Sequence, residues 1–328
     1  MIDALSLPFM QRALLAALLS GLVAPAIGTF IVQRRMSLLG DGLGHVAIMG
    51  VGLALMTGWA PLPVAVVTAT AGAVIVELLR QHGKASGDLG LAILFYGGLA
   101  SGVLMAGVAG QGAGGLSAYL FGSLTSVSES DVWIIGILAV IILVVTVGLA
   151  PRLFAVSVDE DYSRVLGIKV RLLNLLVVVL AAITVTVSMR TVGLLLISAL
   201  MVIPVATAQQ SFVGFTASFF GAMGLGAIAA VGGTVGSFYL DTATGATIVV
   251  TAILLLALSW VFGRWLRRSA RFIPYVEDHG HHDYHAAEAH DDSFAHSSGV
   301  KVIQHGDHLD YVHDGHRHAR HGDHYDEH

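Results

Sequence analysis

The sequence predicts an all-α protein, a polytopic bundle of about nine transmembrane helices followed by a disordered C-terminal tail. Three observations carry this expectation. Hydrophobic residues make up 55% of the 328 and charged residues only 12%, against roughly 25% charged in soluble domains. Apolar stretches recur along the first 271 residues, each close to the ~20 residues that cross ~30 Å of hydrocarbon. The charge also changes sign: residues 1–271 carry +4 and residues 272–328 carry −9, together with 14 of the 16 histidines. The chain therefore divides into a transmembrane domain, 1–271, and a His/Asp-rich tail, 272–328. No basic patch exists beyond scattered charges flanking the spans, which argues against nucleic acid as a partner. Cysteine is absent, so disulfides, thiolate metal sites and cysteine nucleophiles are excluded, and His and carboxylates are the strong metal ligands that remain.

In chain order the first span covers 9–32. Ala24-Pro25-Ala26 mimics a signal-peptide cleavage site, but Asp3 offsets the basic start such signals need and the apolar run continues to Val32. Spans follow at 42–59, 61–79 and 89–109. The Gly- and Ser-rich segment 112–128 surrounds Ala118-Tyr119-Leu120-Phe121-Gly122; it is too short to cross and reads as a re-entrant or surface-lying piece. A fifth span covers 131–150. After it, Val158 to Ile168 reads as a short helix whose acidic start suits the helix dipole and whose end is closed by Gly167. Such a helix is either a connector or a docking knob for another subunit, and the residues alone favour the connector. Four more spans follow at 172–189, 191–209, 213–239 and 245–263. Pro25 and Pro204 should bend their helices, and the many intramembrane glycines should let backbones approach closely.

If the spans alternate and the tail lies inside, twelve Lys and Arg fall on the cytoplasmic side, against Arg12 and Arg190 outside. The positive-inside rule then sets the N-terminus out and the C-terminus in.

Ionisable residues within spans are costly and mark function, and few occur here. The sharpest pair is Asp41 and His45 in Ser37-Leu38-Leu39-Gly40-Asp41-Gly42-Leu43-Gly44-His45. On a helix a spacing of four places them on one face. A carboxylate with a neutral imidazole suits zinc or manganese; equally, Asp41 can cap the helix and His45 can be a hydrogen-bonded packing residue. Glu77 should face water or pair with Arg80. Glu129, Asp131 and Asp241 read as solvated charge at span ends, and Gln209 and Gln210 end the seventh span. Gly83-Lys84 is followed by Ala85 and lacks the surroundings of a phosphate loop, so any ATP-driven motor must be another polypeptide and the chain is not itself an enzyme.

The tail has its own chemistry. His305, His308, His313, His316, His318, His321, His324 and His328 are interspersed with Asp and Gly. So polar a segment should not fold alone, and tracts of this type read as metal-binding. Binding requires neutral imidazoles and should weaken below about pH 6.5.

Three blocks carry a family resemblance: Arg34-Arg35-Met36-Ser37 through His45; Ala118-Tyr119-Leu120-Phe121-Gly122-Ser123-Leu124; and Val158-Asp159-Glu160-Asp161 through Gly167-Ile168, with Val192-Gly193-Leu194-Leu195-Leu196 and Val202-Ile203-Pro204-Val205-Ala206-Thr207-Ala208. Over nearly all of residues 10–263 the chain resembles the membrane permeases of ATP-binding-cassette uptake systems for zinc and manganese. The resemblance implies a type II importer-like, homodimeric permease in the bacterial plasma membrane, with cytoplasmic ATPase subunits and an extracytoplasmic metal-binding protein. It implies that Asp41 and His45 match ion-binding positions in the translocation path. It also implies that Asp159, Glu160, Asp161 and Gly167 lie in the ATPase-docking region, reversing the preference for a connector. The family commonly has Ser before the His, where this chain has Gly44. The His-rich tail lies outside the family core and resembles tails of bacterial zinc-handling proteins, which favours zinc over manganese or iron as cargo and as tail ligand.

Overall fold

The computed structural model describes residues 6–81, 87–111, 114–123, 125, 127–269 and four strands between 301 and 327. The chain divides into two compact units, Met1–Ser269 and Ala270–His328.

The described residues of the first unit are helical. The long helices are α1 (Pro8–Gln33), α2 (Leu39–Thr57), α3 (Pro61–Gln81), α4 (Gly87–Val108), α6 (Glu129–Gly148), α9 (Val170–Val192), α10 (Leu194–Ser211), α11 (Phe215–Leu240) and α12 (Thr244–Ser269). Three short helices complete the set: α5 (Gly114–Phe121), α7 (Ala150–Val158) and α8 (Glu160–Val165). Among the described residues seven helices are long and apolar enough to cross a membrane, and the apolar parts of α4 and α10, Ala92–Val108 and Leu196–Ser211, are shorter. These nine helices fall on the nine expected stretches. Helix α2 begins three residues earlier than the hydropathy suggests, so both Asp41 and His45 lie inside it.

The bundle has a buried middle and an apolar outside. Helices α1, α2 and α9 are mostly buried, whereas α3, α6, α11 and α12 leave roughly two thirds of their apolar windows uncovered. Exposed Val67, Ile93, Leu104, Ile137, Val144 and Leu254 suit a lipid surround, where apolar exposure carries no cost. Buried hydroxyls answer their own helix: Thr29 donates to the Pro25 carbonyl at 2.9 Å, Thr146 to Ile142 at 2.7 Å, Thr184 to Leu180 at 2.8 Å and Thr234 to Ala230 at 2.7 Å.

Glycine sets the tightest crossings. A Cβ on Gly98 would stand 2.6 Å from the His45 carbonyl carbon, and one on Gly102 would stand 2.8 Å from the Ile48 carbonyl oxygen. Helices α2 and α4 thus touch backbone to backbone. A Cβ on Gly21 would stand 2.6 Å from the Gly226 oxygen, which seats α11 on α1 beside Pro25.

Helix α5 packs into the bundle against α9 and α10. Its end is held where α9 turns into α10 at Gly193 (φ 83°): a Cβ there would lie 2.7 Å from the Leu120 carbonyl oxygen.

In the second unit, β1 (Lys301–His305), β2 (His308–His313), β3 (His316–His321) and β4 (His324–Glu327) form an antiparallel sheet in the order β1-β2-β3-β4. Composition predicts disorder here, and for these strands that expectation is corrected. Each hairpin closes on a pair of histidines, His305 with His308, His313 with His316 and His321 with His324. Two residues separate each pair, Gly306-Asp307, Asp314-Gly315 and Gly322-Asp323, compositions that favour two-residue hairpin loops. The local turn signal outweighs low apolar content. His328 and residues 272–300 lie outside the described residues.

Candidate functional site

Helix α2 opens at Leu39 after Leu38, whose side chain makes no capping hydrogen bond. Asp41 therefore does not cap the helix; it stands in the first turn, where the positive end of the helix favours its charge. One turn on, His45 is 4% exposed. Its Nδ1 lies 2.6 Å from the Asp41 backbone carbonyl. A carbonyl only accepts, so Nδ1 is the donor in this contact. The ring is fixed from the other side by Phe95 of α4, centroid to centroid 3.9 Å. The packing role expected of His45 and a ligand role are thus compatible: Nδ1 anchors the ring, and Nε2 is the nitrogen a metal ion would use.

Small residues crowd this turn. A Cβ on Gly44 would lie 2.8 Å from Leu194 Cδ1, and one on Gly40 would lie 2.7 Å from Ser198 Oγ. That hydroxyl is buried without a hydrogen-bond partner in the structure. Sequence reading passed over both Ser198 and Phe95, because a single hydroxyl or ring in an apolar run carries no signal until helices are packed. Among the described residues no three His, Asp or Glu side chains converge as a metal cluster. One chain therefore offers two potential ligands here, an incomplete shell for a tetrahedral ion.

Two further acidic groups near the ends of apolar helices are paired among the described residues. Glu77, 1% exposed, accepts from Arg80 Nε at 2.8 Å, Arg80 Nη2 at 2.9 Å and Gln81 Nε2 at 2.8 Å; of the two expectations, pairing holds and water-facing does not. Asp131 corrects the reading of solvated charge. It is 5% exposed, forms a capping box with Ser128 and lies 3.4 Å from Arg190. The Arg190 guanidinium also sits 5.2 Å above the Tyr119 ring, tying the ends of α5, α6 and α9 together. Burial pushes the Tyr119 hydroxyl above its ordinary pKa. Glu129 and Asp241 are exposed, as expected.

The loop carrying Asp159, Glu160, Asp161 and Gly167 is built as one capped helix. The Asp159 carboxylate accepts from the Tyr162 backbone N–H at 2.9 Å. At the other end Gly167 (φ 75°) donates to the Arg164 carbonyl at 3.0 Å and Ile168 to Ser163 at 3.0 Å, the paired bonds of a Schellman close. Arg164 lies 2.7 Å from Asp161 and 3.4 Å from Glu160, while Asn174 of α9 donates to Glu160 at 2.9 Å. Arg34, just past α1, donates from Nε to Ser157 Oγ at 3.3 Å. Burial lowers the Arg34 pKa and the nearby Glu160 charge opposes the shift. The helix is thus rigidly joined to the bundle, yet Val158, Tyr162, Val165 and Leu166 are exposed, Val165 at 84%.

A cleft of about 240 Å³ opens between Thr29, Gln33, Phe154, Gln209 and Phe215 among others. Its polar groups are uncharged amides and hydroxyls, a poor match for a divalent cation beside the carboxylate–imidazole pair.

Comparison with known proteins places these features in a lineage. The manganese transport system membrane protein MntC of Halalkalibacterium halodurans is 33% identical over 260 residues, covering 79% of this chain and 88% of the relative. The high-affinity zinc uptake system membrane protein ZnuB of Haemophilus influenzae is 31% identical over 253 residues, covering 75% and 95%. The solved structure of PsaBC from Streptococcus pneumoniae in complex with Fab matches with a TM-score of 0.73 at 30% identity, covering 82% of this chain and 98% of that one. A family model described as the ABC 3 transport family matches residues 6–263, which takes in α1 to α11 and most of α12, and the chain belongs to that family.

Proposed function

We propose that this chain is the membrane permease of an ATP-driven uptake system for divalent metal ions, with zinc as its preferred cargo. Manganese or iron is the alternative within the same mechanism. The observation that carries the reading is the Asp41–His45 turn: a carboxylate and an imidazole whose Nδ1 is held by a backbone carbonyl, on a helix packed through glycine against its neighbours, in a chain of a transport family. Relatives named for manganese and for zinc transport support the metal class. An imidazole nitrogen favours zinc over manganese, and so does the choice of histidine 14 times in the last 57 residues.

In this reading two copies of the chain line the path, each contributing its Asp41 and His45 to a weak, transient site. An extracytoplasmic binding protein delivers the ion. The chain lacks a phosphate loop, so ATP is hydrolysed by a separate subunit docked on α8, whose exposed Tyr162, Val165 and Leu166 offer an apolar contact surface. The N-terminus lies outside; α8 and the tail lie in the cytoplasm, where the tail histidines bind arriving zinc. A gradient-driven carrier would want further ionisable groups free within the spans, and Glu77 is occupied by Arg80 and Gln81.

The test is zinc accumulation by cells producing the chain with its ATPase. Asp41→Ala and His45→Ala should each abolish accumulation while the ATPase still copurifies. Normal accumulation in both variants removes the pair from the mechanism, and zinc flux in vesicles without any ATPase replaces the importer with a carrier.

A further inference from the structure

The corner where α7, α8 and α9 meet leaves several polar groups unpaired. Arg34, just past α1, is half-buried, and its Nε reaches Ser157 Oγ only at 3.3 Å. Its Nη2 is buried with no hydrogen-bond partner, and among the described residues no carboxylate forms an ion pair with it. Ser163 Oγ of α8 and Asn174 Oδ1 of α9 are likewise buried and unpartnered. Donor and acceptors left apart in this way each carry a desolvation cost, larger for a charged group. The corner therefore gains from a small shift that brings them together.

Of the two carboxylates that act on the Arg34 charge through space, Glu160 acts more strongly than Glu77. Glu160 is only half committed. Its Oε1 accepts from Asn174 Nδ2 at 2.9 Å, whereas Oε2 faces Arg164 Nη2 at 3.4 Å, on a side chain 57% exposed. An exposed pair of that length holds weakly, so Oε2 is open to a better donor. On the other side of Arg34, the chain enters α2 through a strained turn. Arg35 has φ 57° and closes α1 with bonds from its own N–H to the Val32 carbonyl at 3.0 Å and from Met36 to Ile31 at 3.1 Å. Glycine takes such a position freely, as Gly167 does after α8, but arginine does so at a cost. Four residues on, α2 begins at Leu39, with Asp41 in its first turn.

We propose that Arg34 is a positioning residue that couples α8 to the Asp41 turn. When the docked ATPase presses on α8, Nη2 of Arg34 closes on Oε2 of Glu160, Arg164 returns to water, and the 34–38 link carries the movement into the start of α2. The corner is then an element with two hydrogen-bond arrangements, which is what transmission between two sites requires. This rests on the reading of α8 as the ATPase-docking helix and of Asp41 as a metal ligand, and adds the residue through which one acts on the other.

Zinc uptake and ATP hydrolysis are measured together on the permease in proteoliposomes with its ATPase and binding protein. Arg34→Gln should lower zinc uptake at least about tenfold while the ATPase copurifies and hydrolyses ATP within about twofold of the parent, so that more ATP is hydrolysed per zinc. Glu160→Gln should also lower uptake, and the double variant should be no worse than the more severe single one, as expected of two groups that act as a pair. In the permease alone, Arg34→Gln should unfold at the parent temperature or above it, because a charge with a buried, unpaired nitrogen is removed. Unchanged uptake in Arg34→Gln, lost copurification in that variant, losses that multiply in the double variant, or a lower unfolding temperature would each overturn the coupling role. The docking reading is tested apart from it. If Tyr162→Ser combined with Val165→Ser leaves copurification intact, α8 does not dock the ATPase and the proposal falls with that reading; if copurification is lost there but uptake survives Arg34→Gln, the coupling alone falls.

Discussion

Gly44 and Gly98 stand on either side of His45 and place opposite limits on substitution. At Gly44 a new Cβ meets Cδ1 of Leu194, the far end of a flexible side chain. Gly44→Ser should cost about 1 kcal/mol and leave uptake intact. At Gly98 the new Cβ meets the His45 carbonyl carbon and oxygen at 2.6 and 2.7 Å, and backbone cannot rotate away. Gly98→Val should cost about 3 kcal/mol, separate α4 from α2 and move Phe95 off the imidazole. Thermal unfolding in detergent measures the cost of each, and equal losses would show that the α2–α4 contact is looser than the geometry requires. The residue pair Asp41 and His45 was legible in the sequence because a spacing of four is local. The bond from Nδ1 to the Asp41 carbonyl and the ring of Phe95 were not, since one depends on a rotamer and the other on which helix packs alongside.

At the scale of elements, the legible features are those whose partners lie within one turn. Asp159 and Gly167 announce a short capped helix, and Glu77 finds Arg80 three residues away. Asp131 looks like solvated charge because its partner Arg190 belongs to a helix distant in sequence. Helix α8 is only six residues long, too short to persist without its caps. Asp159→Ala removes the acceptor for the Tyr162 N–H at a cost of about 1 kcal/mol. Gly167→Ala forces a Cβ into the left-handed region at about 1–2 kcal/mol. Neither change reaches the Asp41–His45 turn, so each should speed amide exchange across 160–168 and lower ATPase copurification while zinc binding by the tail stays as it was. Unaltered copurification despite faster exchange would mean that the partner docks elsewhere or reorders the helix on binding.

On the scale of the whole molecule, the helical bundle follows from hydropathy alone, because in a bilayer every backbone polar group must be satisfied within its own segment. The tail sheet was hidden because composition averages over the alternation and the two-residue loops that pair its strands. The two parts of the sequence also differ in kind, +4 over residues 1–271 and −9 over 272–328, and the family match ends at residue 263, before the tail begins. If the path lies wholly within the helices, a chain ending at residue 278 should import zinc at an initial rate within about twofold of the full chain, a barrier change of less than ~0.5 kcal/mol. Its bound zinc after purification should fall, because every histidine from His279 onward is gone. The two quantities must be measured on the same preparations, initial uptake in cells and metal content of the purified chain. Should uptake and metal content fall together, the tail accepts ions directly from the path and sets the rate of their release. Should uptake rise at high external zinc, the tail restrains the transporter.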